Sequence, residues 1–171
     1  MRVVLSFILL AGTLLLSSCT GYQLGGTKPD AMAHVERIHV PLAKNLTQIP
    51  RAGAFVTNGV VDALVRDGSY RLGTADNADA TLEVEFYQVD FDAIRTYEAN
   101  RLRPEELSMK VSLKWKVIDS NNPLKVLDSG VSSGRTSFFV DPNLQTAQQS
   151  AINDAIQRAS ISLVARLADG F

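Results

Sequence analysis

Hydrophobic and polar positions alternate with period two along several stretches of the chain and recur with helical spacing along two others. Leu107 to Asp119 is the clearest strand. Leu107, Met109, Val111, Leu113, Trp115 and Val117 share one face, while Ser108, Lys110, Ser112, Lys114 and Lys116 share the other. Such alternation describes a sheet with one buried and one wet, basic face. Thr81 to Ile94 reads as a second long strand whose parity changes from Leu82, Val84 and Phe86 to Val89, Phe91 and Ala93. A period-two pattern changes phase only through an extra residue, so a bulge is predicted near Tyr87 and Gln88. Val126 to Val140 makes a third strand, weaker in pattern and rich in Ser and Gly. Val35 to Leu42 places Ile38, Val40 and Leu42 on one side, and Pro41 marks an edge or a strand end. Ser69 to Gly73 suggests a short strand, and Lys44 to Pro50 and Thr74 to Ala80 read as loop and turn.

Two segments follow the helical period. In Arg51 to Asp67, the residues Phe55, Val56, Val60, Ala63 and Leu64 fall on one face. Gly59 weakens this helix by about 1 kcal/mol relative to Ala, yet allows close packing. Gly68 is placed to end it in the left-handed region. After Asp141-Pro142, read as N-cap and first helical residue, Ile152, Ile156, Ala159, Leu163 and Leu167 recur down to Gly170. Two amphipathic helices and a sheet with one apolar face imply an α+β domain. The helices should pack on one face of a mixed, mostly antiparallel sheet of about four strands.

The amino terminus follows neither period. Arg2 precedes a 14-residue run, Val3 to Leu16, that is apolar apart from Ser6, Gly12 and Thr13. A spanning helix needs roughly 20 residues, so this run suits the apolar region of a signal peptide. It leads into Leu16-Ser17-Ser18-Cys19, which resembles the bacterial lipobox, with Cys19 as the first mature residue. Cys19 is the one cysteine of the chain. The resemblance implies thioether-linked diacylglycerol and an N-terminal acyl chain such as palmitate. Each buried methylene contributes about 0.8 kcal/mol, so several chains anchor firmly. Thr20, rather than Asp, follows the cysteine. Within the resemblance this favours the outer membrane, with the domain in the periplasm. The expected organisation is residues 1–18 as signal peptide, 19–34 as lipidated tether and 35–171 as a single domain.

Composition narrows the chemistry. The 171 residues carry a formal charge of −1, with 46% hydrophobic and 20% charged residues. That is globular composition without the basic excess of a nucleic-acid binder. A lone cysteine closes no internal disulfide, and with two histidines it leaves little for a metal site. His34 and His39 read as solvated surface residues. No nucleophile elbow, phosphate loop or zincin motif occurs. Glu83 and Glu85 share a strand face and read as partners for lysines across the sheet. No catalytic residue, metal or cofactor is therefore assigned, and the chain is not expected to be an enzyme.

The distribution of charge is more informative than its total. Residues 20–94 carry six basic and ten acidic side chains, whereas residues 95–116 carry six basic against three acidic. Arg95, Arg101 and Arg103 fall between the two clearest strands, where a loop is expected. They are candidates for anionic groups such as lipid phosphates. Lys110, Lys114 and Lys116 lie on the wet face, opposite the acidic preceding strand.

Several short motifs in order carry a family resemblance. Cys19-Thr20-Gly21-Tyr22-Gln23-Leu24 resembles the start of LptE-type lipopolysaccharide-assembly lipoproteins. The segment Val40 to Thr47 before a helix, two long strands flanking an Arg-bearing segment, and Arg135-Thr136-Ser137-Phe138-Phe139 with Asp141 and Asn143 before the last helix continue the likeness. The family's basic residue just inside the last helix has no counterpart in Leu144 to Gln149. The resemblance implies a non-enzymatic outer-membrane lipoprotein that plugs and helps assemble the LptD β-barrel during delivery of lipopolysaccharide to the outer leaflet. Its partners would be an LptD-like barrel, lipopolysaccharide bound through Arg95, Arg101 and Arg103, and membrane lipid through Cys19. The competing expectation is a pilotin-like assembly lipoprotein for another outer-membrane complex.

Overall fold

The computed structural model describes residues 28–97, 100–140 and 143–170, with the backbone alone for Tyr97 and residues 100–103. After one 3-10 turn at Asp30–Met32 come β1 (Arg37–His39), β2 (Lys44–Asn45), α1 (Ala52–Asp67) and β3 (Arg71–Leu72). Then follow β4 (Ala80–Tyr97), β5 (Asn100–Asp119), β6 (Asn122–Phe139) and α2 (Leu144–Asp169). The sheet runs β3-β1-β4-β5-β6, and β2 also pairs with β4.

The α+β class holds, with both helices on one face of the sheet. The sheet itself differs from the expectation of about four mostly antiparallel strands. It has six strands, and the pairings of β1 with β3, β1 with β4 and β2 with β4 are all parallel. The three strands involved span only two or three residues each. β1 and β3 lie within Val35 to Leu42 and Ser69 to Gly73, read as strands, whereas β2 falls in the expected loop; the parallel pairing of all three is set by tertiary contacts. Asp79 makes one such contact, its Oδ2 accepting from the Glu36 and Arg37 amides at 2.9 and 2.8 Å.

The bulge falls where the parity change puts it. Phe86 pairs with Leu113 and Gln88 with Ser112, leaving Tyr87 as the extra residue. Leu82, Val84, Phe86 and Val89 therefore all face the helices. Across from them Met109, Val111, Leu113, Trp115 and Val117 are buried. Gly68 and Gly170 end the two helices at φ 77° and 75°. The second helix starts later than expected, with Asn143 as its N-cap; Asp141 and Pro142 lie outside the described residues. Arg51, the expected first residue of α1, stands outside it as N-cap at φ 60°.

The helices run side by side in the same direction. Gly59 of α1 admits Ser160 of α2, whose hydroxyl would lie 2.9 Å from an added Cβ. Tyr70, just after α1, donates to the Leu167 carbonyl of α2 at 2.8 Å. The second helix rests directly on β6. A Cβ at Gly134 would collide with the Ala155 carbonyl and the Ala159 amide nitrogen. At Gly130 it would stand 2.8 Å from the Trp115 ring. Ser132, between them on the same face, accepts from Trp115 Nε1 at 3.1 Å. Gly130, Ser132 and Gly134 thus form a shallow trough, and the alanines 151, 155 and 159 of α2 are buried above the sheet.

Gly134→Ala is expected to force α2 off β6 and cost about 3 kcal/mol. Gly68→Ala meets no neighbouring atom and should cost only the left-handed backbone strain of about 1 kcal/mol. Urea denaturation of both variants checks the order; equal losses would refute the trough.

Candidate functional site

The open face of the sheet, opposite the helices, carries the charges. Lys116 meets Glu83 at 2.9 Å, across the strand pair that sets them opposite one another. Lys44 of β2 reaches Glu85 at 3.4 Å. Lys110 lies between Asp90 on β4 and Arg135 on β6. The paired side chains are partly exposed, from 36% to 65%, and such pairs contribute at most about 1 kcal/mol each. The cross-strand partnership with lysines expected for the glutamates is present at both, Glu83 with Lys116 of β5 and Glu85 with Lys44 of β2. The serines 108 and 112 are buried within this face. Ser108 Oγ has no hydrogen-bond partner among the described residues.

The segment expected as a basic loop is strand. β4 continues to Tyr97 and β5 begins at Asn100, so the hairpin closes across those two residues. Successive register shifts interrupt its ladder between Ala93 and Tyr97. Arg95 lies on β4 opposite Glu106 and reaches its carboxylate at 3.9 Å. It therefore has the strand partner that the sequence did not reveal, although its side chain stays 60% exposed. Arg101 and Arg103 lie on β5 in the same hairpin, but their side chains are outside the described residues, as is Cys19 altogether. The hairpin brings the three arginine positions onto adjacent strands.

This end of the sheet extends past the helical layer. Along the helix-facing row of β4, Phe86 is fully buried, Val89 is half-buried and Phe91 is 47% exposed. Phe91 packs edge-on against Phe138, with ring centroids 6.5 Å apart. Ile94 is 56% exposed, and on the open face Phe139, paired with Glu106, is 57% exposed. Sequence periodicity gave Phe91 to the core, because alternation reports which face a residue occupies and not how far the covering layer reaches. A hairpin with arginine positions and exposed aromatic groups suits contact with an amphiphile or an apolar wall.

The perturbed carboxylates are structural. The Glu36 and Arg37 amides hold Asp79 below the ordinary aspartate value of 3.8. The Asn121 amide, assisted by Lys125 at 3.4 Å, does the same for Asp119 at the β5–β6 turn. Asp154 of α2 is lowered by the Thr136 hydroxyl of β6 and by Arg158. Burial pushes Tyr70 up to about 12. His34 stands 3.9 Å from Asp119 and His39 Nδ1 lies 3.4 Å from the Gly73 carbonyl, so neither histidine joins the hairpin. Among the described residues no group of three His, Cys, Asp or Glu side chains is placed to hold a metal ion. None of the described helices is long and apolar enough to cross a membrane.

Because the three aspartates have lower pKa values folded than unfolded, the folded state binds fewer protons in acid. Their stabilisation is complete above the unfolded value and declines as pH falls below about 4. Asp79→Asn is expected to lower stability at pH 7 and to flatten its decline below pH 4. Thermal unfolding across pH checks this, and an unchanged acid slope would contradict the pinning of β1 by Asp79.

The chain matches no protein-family model and no curated protein sequence. Solved structures share its fold. A Xanthomonas campestris protein of the DUF330 family superposes with a TM-score of 0.55 at 14% identity, covering 77% of this chain and 82% of that one. A hypothetical protein of Chlamydia trachomatis gives 0.56 at 10% identity, covering 77% and 94%. A minor lipoprotein of Acinetobacter baumannii gives 0.50 at 7% identity, covering 77% and 91%. At these identities the likeness is one of fold, and the two-layer domain of this chain is one that occurs among bacterial lipoproteins.

Proposed function

We propose that the chain is an outer-membrane lipoprotein, tethered through Cys19, that serves without catalysis as plug and assembly partner of an LptD-like β-barrel in lipopolysaccharide delivery. The observation that carries this reading is the β4–β5 hairpin, which extends past the helices and holds arginine positions between the exposed rings of Phe91 on one face and Phe139 on the other. A lipid that joins phosphates to acyl chains needs both kinds of partner: cationic donors for the head group and apolar surface for the tails. A barrel lumen likewise offers a wall against which a folded domain can seat a projecting hairpin. The lipobox-like sequence supports the tether, and the fold shared with a bacterial lipoprotein is consistent with it.

The domain is expected to co-purify with a large β-barrel from detergent-solubilised outer membrane; recovery as a free monomer at native expression would overturn the partnership. Co-purification with a multimeric ring instead would favour the pilotin-like reading. Cys19→Ala should release the protein from membranes, and a variant that still sediments with them would exclude simple lipid tethering. Replacing Arg95, Arg101 and Arg103 together by Ala is expected to weaken lipopolysaccharide binding about tenfold or more with the fold retained. Unchanged binding by a folded triple variant would remove these residues from the site.

A further inference from the structure

The strand β6 forms one edge of the sheet over its full 18 residues. Its hydrogen-bonding phase follows from one contact: the Val140 amide donates to the Glu105 carbonyl directly opposite. In an antiparallel ladder, residues with both backbone groups turned to the partner alternate with residues whose groups point away. Keeping the register from Phe139 back to Asp128, the residues turned toward β5 are Phe138, Thr136, Gly134, Ser132 and Gly130. Ser129, Val131, Ser133, Arg135 and Ser137 therefore direct their amides and carbonyls outward. Ser129 is capped by the Asp128 side chain at 2.7 Å. For the backbone groups of the other four, no partner occurs among the described residues.

Edge strands of this length are ordinarily blunted by Lys, Pro or a bulge. From Ser129 to Ser137 there is no Pro, Lys or acid, and the register is unbroken. We propose that this edge binds an extended strand of a partner protein, one that carries a carboxylate opposite Arg135.

The position of α2 selects that occupant. Closed two-fold pairing of β6 with a second copy is antiparallel and puts both α2 helices on one face of the joined sheet. Neighbouring strands lie about 4.8 Å apart, whereas packed helices need about 8–10 Å. Because α2 rests on β6 at Gly134, two copies would bring their helices into collision. A strand without a helix above it fits. On the open face it would lie beside Val131, Ser133, Arg135, Ser137 and Phe139, of which Val131 and Phe139 are 51% and 57% exposed. Arg135 has like-charged Lys110 opposite it on β5. A carboxylate from the outer side would meet Arg135 and offset that repulsion. The complementary strand thus reads apolar, small, acidic, small, apolar at alternate positions. The edge needs neither the lipid anchor nor the basic hairpin.

The test uses the full-length lipidated chain in detergent micelles. The probe is a capped nine-residue peptide with Val, Ser, Glu, Ser and Val at alternate positions and Thr between them. Residue-resolved hydrogen exchange at millimolar peptide should show the amides of Val131, Ser133, Arg135 and Ser137 slowed about tenfold, with those of Ser132, Gly134 and Thr136 unchanged. Ser133→Pro deletes one outward amide and leaves the ladder to β5 intact; it should abolish the slowing. Arg135→Glu, which leaves the backbone alone, should shift the preference to a peptide with Lys in place of Glu, and it decides the matter should Ser133→Pro not fold. No slowing, or equal slowing by both peptides on the parent chain, overturns the proposal. So does a dimer trapped by a disulfide between Ser133→Cys copies.

Discussion

The close seat of α2 on β6 organises the rest of this structure. A helix lying over large side chains is held off a sheet by them; here Gly134 lets its backbone approach the strand itself. The gain is dispersion contact along the buried alanines of the helix, won with side chains that contribute little apolar area of their own. The approach also fixes where Trp115 lies. Its ring occupies the space beside Gly130, its Nε1 is satisfied by Ser132, and Arg166 stands over it 5.9 Å from the ring centroid. With α2 set by this trough, α1 is set in turn by the contact of Gly59 with Ser160. The helical layer therefore has little freedom to slide, and its reach along the sheet decides how much of the β4–β5 hairpin is covered.

That coupling explains which parts of the fold were legible in the sequence. The helices could be read because Val56, Val60 and Leu64, or Ile152, Ile156 and Leu163, are buried through side chains that repeat at helical spacing. The bulge at Tyr87 could be read because a phase change in alternation has one structural cause. In β6 the burial is made by absence of side chain. Gly130, Ser132 and Gly134 face the helix, so the strand could be read from the sequence but its buried face could not. Of the three short strands, β1 and β3 lie within segments read as strands, while β2 falls in one read as a loop, and none of their parallel pairings was legible. Two or three residues define no period, and the bonds that hold β1, such as those to Asp79, join positions more than forty residues apart.

The candidate hairpin shows the same divide between local and tertiary information. Residues 95–106 are polar and include Pro104, which favours a loop locally, but pairing with the opposite strand overrides that preference. The basic character of the segment was legible, since charge is a property of composition. The partner of Arg95 was not, because Glu106 becomes its neighbour only once the strands are in register. The exposure of Phe91 was equally hidden. Its alternation with Val89 and Ala93 is that of a core row, and only the length of the helical layer leaves the outer part of the row open.

The direction of the helices then separates the two ends of the domain. Lys28 and Pro29, where the described chain begins, lie beside Tyr70 and Gly170, at the end where both helices finish. The uncovered hairpin lies at the end where both begin. A helix of 26 residues spans about 39 Å, which sets the scale of that separation. The nine peptide links from Cys19 to Lys28 extend at most about 30 Å. On the proposal that Cys19 carries the lipid, its tether joins the described domain at the helix C-terminal end, and the arginine and aromatic positions lie at the opposite one. Neither the pinned carboxylates nor the trough under α2 lies in the hairpin, so its surface is free to vary without loosening the fold that holds it out.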